Sequence, residues 1–138
     1  MTLTLLLCLF SCKQERSENA RSVPIEACVD LSDQDAVSAY LKMEEIVRES
    51  ALYIGALITV RGIYMPYYVS SLSAYRAVLS VQDAPNCCAI AIEFELIGAP
   101  PLPDGYPEKG ASILLRGTFE MAEEGGVTYP RFSRAEIL

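Results

Sequence analysis

Hydrophobic positions recur every second residue along most of this chain, and every third or fourth in one stretch. The clearest alternation runs from Cys87 to Leu96. There Cys88, Ile90, Ile92, Phe94 and Leu96 share one face, and Cys87, Ala89, Ala91, Glu93 and Glu95 share the other. The pattern places Cys88 in the core and Cys87 outside, beside Asp83. Four more segments read as strands: Leu57–Met65, Tyr75–Gln82, Ala111–Met121 and Val127–Ile137. Gly62 interrupts the first and predicts a bulge or a tight bend there. Ala77, Leu79 and Val81 form the apolar face of the second. Gly125-Gly126 joins the last two as a hairpin turn.

The helical period sits ahead of these strands. Ser32 is the expected N-cap, with Asp33 and Asp35 near the positive end of the dipole. Val37, Tyr40, Leu41 and Val47 fall on one stripe that Met43 and Ile46 widen, predicting a packing helix over about 33–50. The segment 98–110 carries four prolines and three glycines, which exclude a regular element. Five strands, a glycine in the first and a long connection after the third give the expected class. It is mainly β, a five-stranded OB-like Greek-key barrel preceded by one α-helix. An open sandwich is the competing arrangement.

The apolar stretch 1–11 is too short to span a bilayer, which takes about 20 residues. It suits the apolar core of a signal peptide that is removed. Leu9-Phe10-Ser11-Cys12 resembles a bacterial lipobox, which makes Cys12 the expected lipidation site. Residues 12–24 then form an acylated cysteine and a flexible tether, and 25–138 a single OB-like domain. The expected location is a bacterial membrane surface, on the periplasmic or extracellular face, with the lipid anchor as the membrane contact.

From Asp30 onward the chain resembles an uncharacterised family of exported bacterial proteins, many of them lipoproteins, with an OB-like barrel. The resemblance is carried by Asp30-Leu31-Ser32, Tyr53-Ile54-Gly55, Arg61-Gly62-Ile63-Tyr64, and Asp83 followed by Cys87-Cys88 and Glu93-Phe94. Tyr106 to Gly110, Arg116 to Glu120 and Tyr129 complete it. It implies an exported envelope protein and offers no activity.

The chain has 5 cysteines and 0 histidines, which excludes Ser-His and Cys-His catalysis. Its formal charge is -7, and residues 25–138 carry 16 acidic against 8 basic side chains. Nucleic acid is an unlikely partner for such a surface, since phosphate affinity comes from Lys and Arg. Cys87, Cys88, Asp83 and Cys28 are the candidate metal or redox residues. A structural disulfide from Cys28 to Cys87 or Cys88, a strained vicinal Cys87–Cys88 bridge, and a zinc site of Cys87 and Asp83 with Cys28 or Glu93 are the alternatives. No resident cofactor is expected beyond that zinc alternative. Glu93 and Glu95 make an outward carboxylate pair, a pattern ordinary for a solvated strand face.

Tyr64, Tyr67, Tyr68 and Tyr75 cluster around one hairpin, and with Glu93 they are the candidate ligand surface. Loops 65–75 and 97–110 and the Asp83–Cys88 turn frame it. The reading is a membrane-tethered, non-enzymatic binding or assembly module of the cell envelope. An envelope protein, a peptide or a sugar is the expected ligand. The alternative is a metal-binding or thiol-redox protein centred on Cys87 and Cys88.

Overall fold

The computed structural model describes residues 26–138 apart from 86, 99 and 100. The expected signal peptide, Cys12 and the tether lie outside the described residues. The described chain is mainly β with one α-helix. In order it forms β1 (Cys28–Asp30), α1 (Ala36–Arg48), β2 (Leu57–Tyr64), β3 (Tyr67–Val69), β4 (Ala74–Arg76), β5 (Val78–Gln82), β6 (Ala89–Leu96), β7 (Ser112–Glu124) and β8 (Val127–Ile137). Among the described residues no helix is long and apolar enough to cross a membrane.

Six strands form one mixed sheet in the order β1-β2-β5-β6-β8-β7, and β7 also pairs with β2. The β1–β2 and β6–β8 pairs are parallel; β2–β5, β5–β6, β7–β8 and β2–β7 are antiparallel. β3 and β4 form a separate two-stranded hairpin between β2 and β5. The β7–β8 turn is the expected Gly125-Gly126 hairpin, and both glycines have positive φ, 59° and 81°.

Alternating apolar positions supply the core. Ile58 and Val60, Leu79 and Val81, Ile92 and Phe94, Ile113 and Leu115 are buried from successive strands. Phe119 and Phe132 meet edge to face at 6.2 Å. Gly62 does not bulge β2. It lets β5 come close: a Cβ at 62 would lie 2.8 Å from the Ser80 carbonyl oxygen. Gly117 does the same against β8, where a Cβ would meet Phe132 Cβ at 2.8 Å. The irregularity falls on β8 instead, as a register shift opposite Arg116–Thr118 with Arg134 at φ 49°.

α1 differs from expectation at its start and in its buried face. Asp30 Oδ1 accepts both the Ser32 N–H and its hydroxyl, so Ser32 is spent in a turn before the helix. Asp35 is the N-cap, accepting from Ser38 N at 2.9 Å. The buried residues are Ala39, Met43 and Ile46, while Val37 and Leu41 stay exposed. Lys42 reaches Glu26 at 2.9 Å and the Tyr53 hydroxyl at 3.1 Å, tying the helix to the segment before β1. The Glu26 carboxylate, as hydrogen-bond partner, raises the Lys42 pKa against the cost of burial. The helix packs on β5 and β6.

The strand expected over Tyr75–Gln82 divides at Ala77 into β4 and β5, and the strand expected from Cys87 begins at Ala89. That second shift decides how the thiols are placed.

Candidate functional site

Between β2 and β5 the chain makes the β3–β4 hairpin, which places tyrosines in two environments. Tyr64, at the end of β2, is 2 % exposed and belongs to the core. It stacks on Tyr106 at 6.0 Å and meets the edge of Phe94 at 6.0 Å. Burial raises its pKa, and the Tyr106 ring under it is raised for the same reason. Tyr67, Tyr68 and Tyr75 are exposed on the hairpin, and Tyr68 packs edge to face on Tyr75 at 5.2 Å. The four tyrosines therefore divide into a structural one and three that face solvent.

On one side the hairpin walls a cleft of about 590 Å³. Tyr67, Val69 and Leu72 come from the hairpin side, Val78 and Ala91 from β5 and β6, and Val127, Tyr129 and Pro130 from β8. Its volume falls within the range of small-ligand sites, roughly 300–1,000 Å³. Arg76 is the only cation among its described lining residues, beside Glu93 and Glu124. Arg76 Nη1 donates to Glu93 Oε1 at 2.8 Å, and Nη2 to both oxygens of Glu124 at 2.9 and 3.1 Å. Burial works against the arginine charge, but the two carboxylates outweigh it and hold the guanidinium protonated. Burial, followed by the negative charge of Glu93, raises the pKa of both Tyr67 and Tyr129. The cleft is thus apolar in its walls and slightly electronegative at its floor. The part played by the β7–β8 turn went unread in the sequence; the Gly125-Gly126 hairpin beside Val127 and Tyr129 was the available signal.

A second cleft of about 500 Å³ opens on the far side of Tyr75, lined by Tyr64, Pro66, Leu102, Pro103, Tyr106 and Pro107. It brings the loop 65–75 against the proline-rich connection, two segments named separately from sequence.

The thiol loop lies elsewhere, where the β5–β6 connection meets α1. Asp83 Oδ1 accepts the backbone N–H of Cys87 at 3.0 Å and of Cys88 at 3.4 Å, and Asp83 N–H donates to the Cys88 carbonyl at 3.2 Å. Asp83 is therefore a turn former, as its sequence context indicates. Because β6 starts at Ala89, strand alternation does not separate the two cysteines. Cys88 is exposed, not packed inward, and both are free thiols. Cys28 is disulfide-bonded, and neither Cys87 nor Cys88 is its partner. The bridge expected between Cys28 and the pair is not formed. The loop's own backbone bonds to Asp83 already close it without a covalent tie.

No three Cys, Asp or Glu side chains gather at metal-ligand spacing among the described residues. Glu93, a ligand in the zinc alternative, is 12 % exposed and engaged by Arg76. Glu95 is exposed on the same strand without joining that pair.

No family model, curated protein or solved structure matches this chain. The functional reading therefore rests on the site itself.

Proposed function

We propose that residues 25–138 form an OB-like barrel that binds a partner in the cleft between the β3–β4 hairpin and the β7–β8 turn. Strand pairings that return from β7 to β2, with β6 and β8 parallel, support the barrel reading. OB folds bind ligands on the face of their second and third strands, using the loops after the first strand and between the last two. Here those are β5 and β6, the 65–77 connection and the Glu124–Val127 turn.

The observation that carries the proposal is the state of Arg76. The one positive group in the cleft is spent on Glu93 and Glu124, so a phosphate or nucleic acid finds no cation to bind. Much of the wall is apolar: Val69, Leu72, Val78, Ala91, Val127 and Pro130. They suit the apolar side chains of a peptide segment, and the exposed Tyr67 widens that surface with the residue type enriched at protein interfaces. A basic flank on the peptide matches the acidic surroundings. The module is non-enzymatic and works in assembly at the cell envelope.

Peptides selected for binding from a random library, together with oligo-dT, provide the test. Amide shifts on adding peptide are expected at Val69, Ala91 and Val127, with no binding of oligo-dT. Shifts confined to α1 or to 102–109, or binding of oligo-dT, would overturn the reading.

A further inference from the structure

We propose that Cys87 and Cys88 are a reversible dithiol–disulfide site that closes to a vicinal disulfide on reaction with a small-molecule disulfide. The proposal is independent of the peptide cleft. Both thiols are free and exposed. The Asp83 carboxylate gathers both of their backbone N–H groups, and the Asp83 N–H binds the Cys88 carbonyl, so the pair sits on a bounded turn outside any strand ladder. The two cysteines are sequence neighbours on that turn, with both thiols at the surface. In a regular strand they would point to opposite faces.

This arrangement gives the two sulfurs different tasks. Interaction with the neighbouring Cys87 raises the Cys88 pKa, so Cys88 is held as a thiol. Cys87 is the attacking sulfur. Its thiolate displaces one thiolate from the disulfide R–S–S–R, leaving Cys87–S–S–R. Cys88 then gives its proton to solvent and attacks the Cys87 sulfur, expelling the second RS⁻. The balance is two protein S–H bonds lost, one S–S bond formed and two RSH released. Asp83 puts negative charge on this turn, so a cationic disulfide is the best oxidant.

The experiment treats the full chain with cystamine, blocks remaining thiols with iodoacetamide, and maps the products by mass spectrometry. The expected product has lost two hydrogens, with Cys87 and Cys88 linked in one peptide and both alkylation sites gone. Dithiothreitol restores both. Cys88→Ser should stop at a stable cystamine adduct on Cys87, and reduced wild type should bind phenylarsine oxide, which neither single variant does. Stable adducts on both cysteines of wild type, a link to another cysteine, or wild type behaving like Cys88→Ser would each overturn the proposal.

Discussion

Arg76 and Glu124 lie 48 residues apart, and the guanidinium Nη2 of the first contacts both carboxylate oxygens of the second. The pair spans the cleft, linking the end of β4 to the end of β7. Glu93 on β6 takes the other nitrogen of the same guanidinium, so three separate segments meet on one side chain. The width of the cleft is therefore set by a charged group in its floor.

The two carboxylates should differ in what they contribute. Glu93 is 12 % exposed and Glu124 45 %. Glu93→Gln leaves a half-buried arginine short of a charged partner and is expected to cost about 1–3 kcal/mol. Glu124→Gln removes a solvated pair and should cost less than about 1 kcal/mol. Urea melts at low and high salt check this, with only the Glu124 effect fading at high salt. Equal costs would mean that the arginine is not oriented from β6.

The tyrosines should separate stability from binding. Tyr64→Ala removes a buried ring stacked on Tyr106 and is expected to cost about 3–5 kcal/mol. Tyr67→Ala and Tyr68→Ala, both on the exposed hairpin, should stay within about 0.5 kcal/mol of wild type. Of the three, Tyr67→Ala alone should weaken peptide binding in a folded protein, because Tyr67 lines the cleft and Tyr68 does not. Thermal melts read beside titration calorimetry test the division.

Helix α1 offers a sharper test, because its pattern points to a different face. Ile46→Ala should cost about 2–5 kcal/mol, whereas Leu41→Ala should stay within about 0.5 kcal/mol. Ile46 is fully buried and Leu41 is 55 % exposed. A large loss at Leu41 would mean that another surface covers it.

Period-two alternation was enough to read β2, β5, β6, β7 and β8, because one face of each is buried and a register slip would invert it. The apolar stripe of α1 was misread because Ala39, its innermost small residue, carries little weight beside Val37 and Leu41. What packs against the stripe is set by β5 and β6, which local pattern does not contain. The strand start at Ala89 was hidden by Cys87, whose alternation continues the strand formally. Asp83 captures the N–H groups of both cysteines and ends the ladder early, a hydrogen bond that no periodicity registers. For the same reason the cleft was only half legible. Tyr67 and Glu93 stood out, but Arg76, Glu124 and Tyr129 come together only through the pairing of distant strands.

The entrance to α1 should make the protein sensitive to acid. The Ser32 hydroxyl and N–H lower the pKa of Asp30, and the Ser38 N–H and hydroxyl lower that of Asp35. A carboxylate whose folded pKa lies below its unfolded value binds fewer protons when folded. Its stabilisation is therefore complete above the unfolded pKa, about 3.9, and is lost as pH falls through the folded value. Wild type should lose helix-entry stability as pH falls below about 4. Asp35→Asn keeps an acceptor for the Ser38 N–H without the titrating charge, so it should flatten this acid limb while leaving the cap formed at neutral pH. Asp35→Ala should destabilise α1 at neutral pH and flatten the limb as well. Urea midpoints of the three proteins from pH 7 to pH 2 distinguish these outcomes. An acid limb of wild-type steepness in Asp35→Asn would place the acid-sensitive group elsewhere.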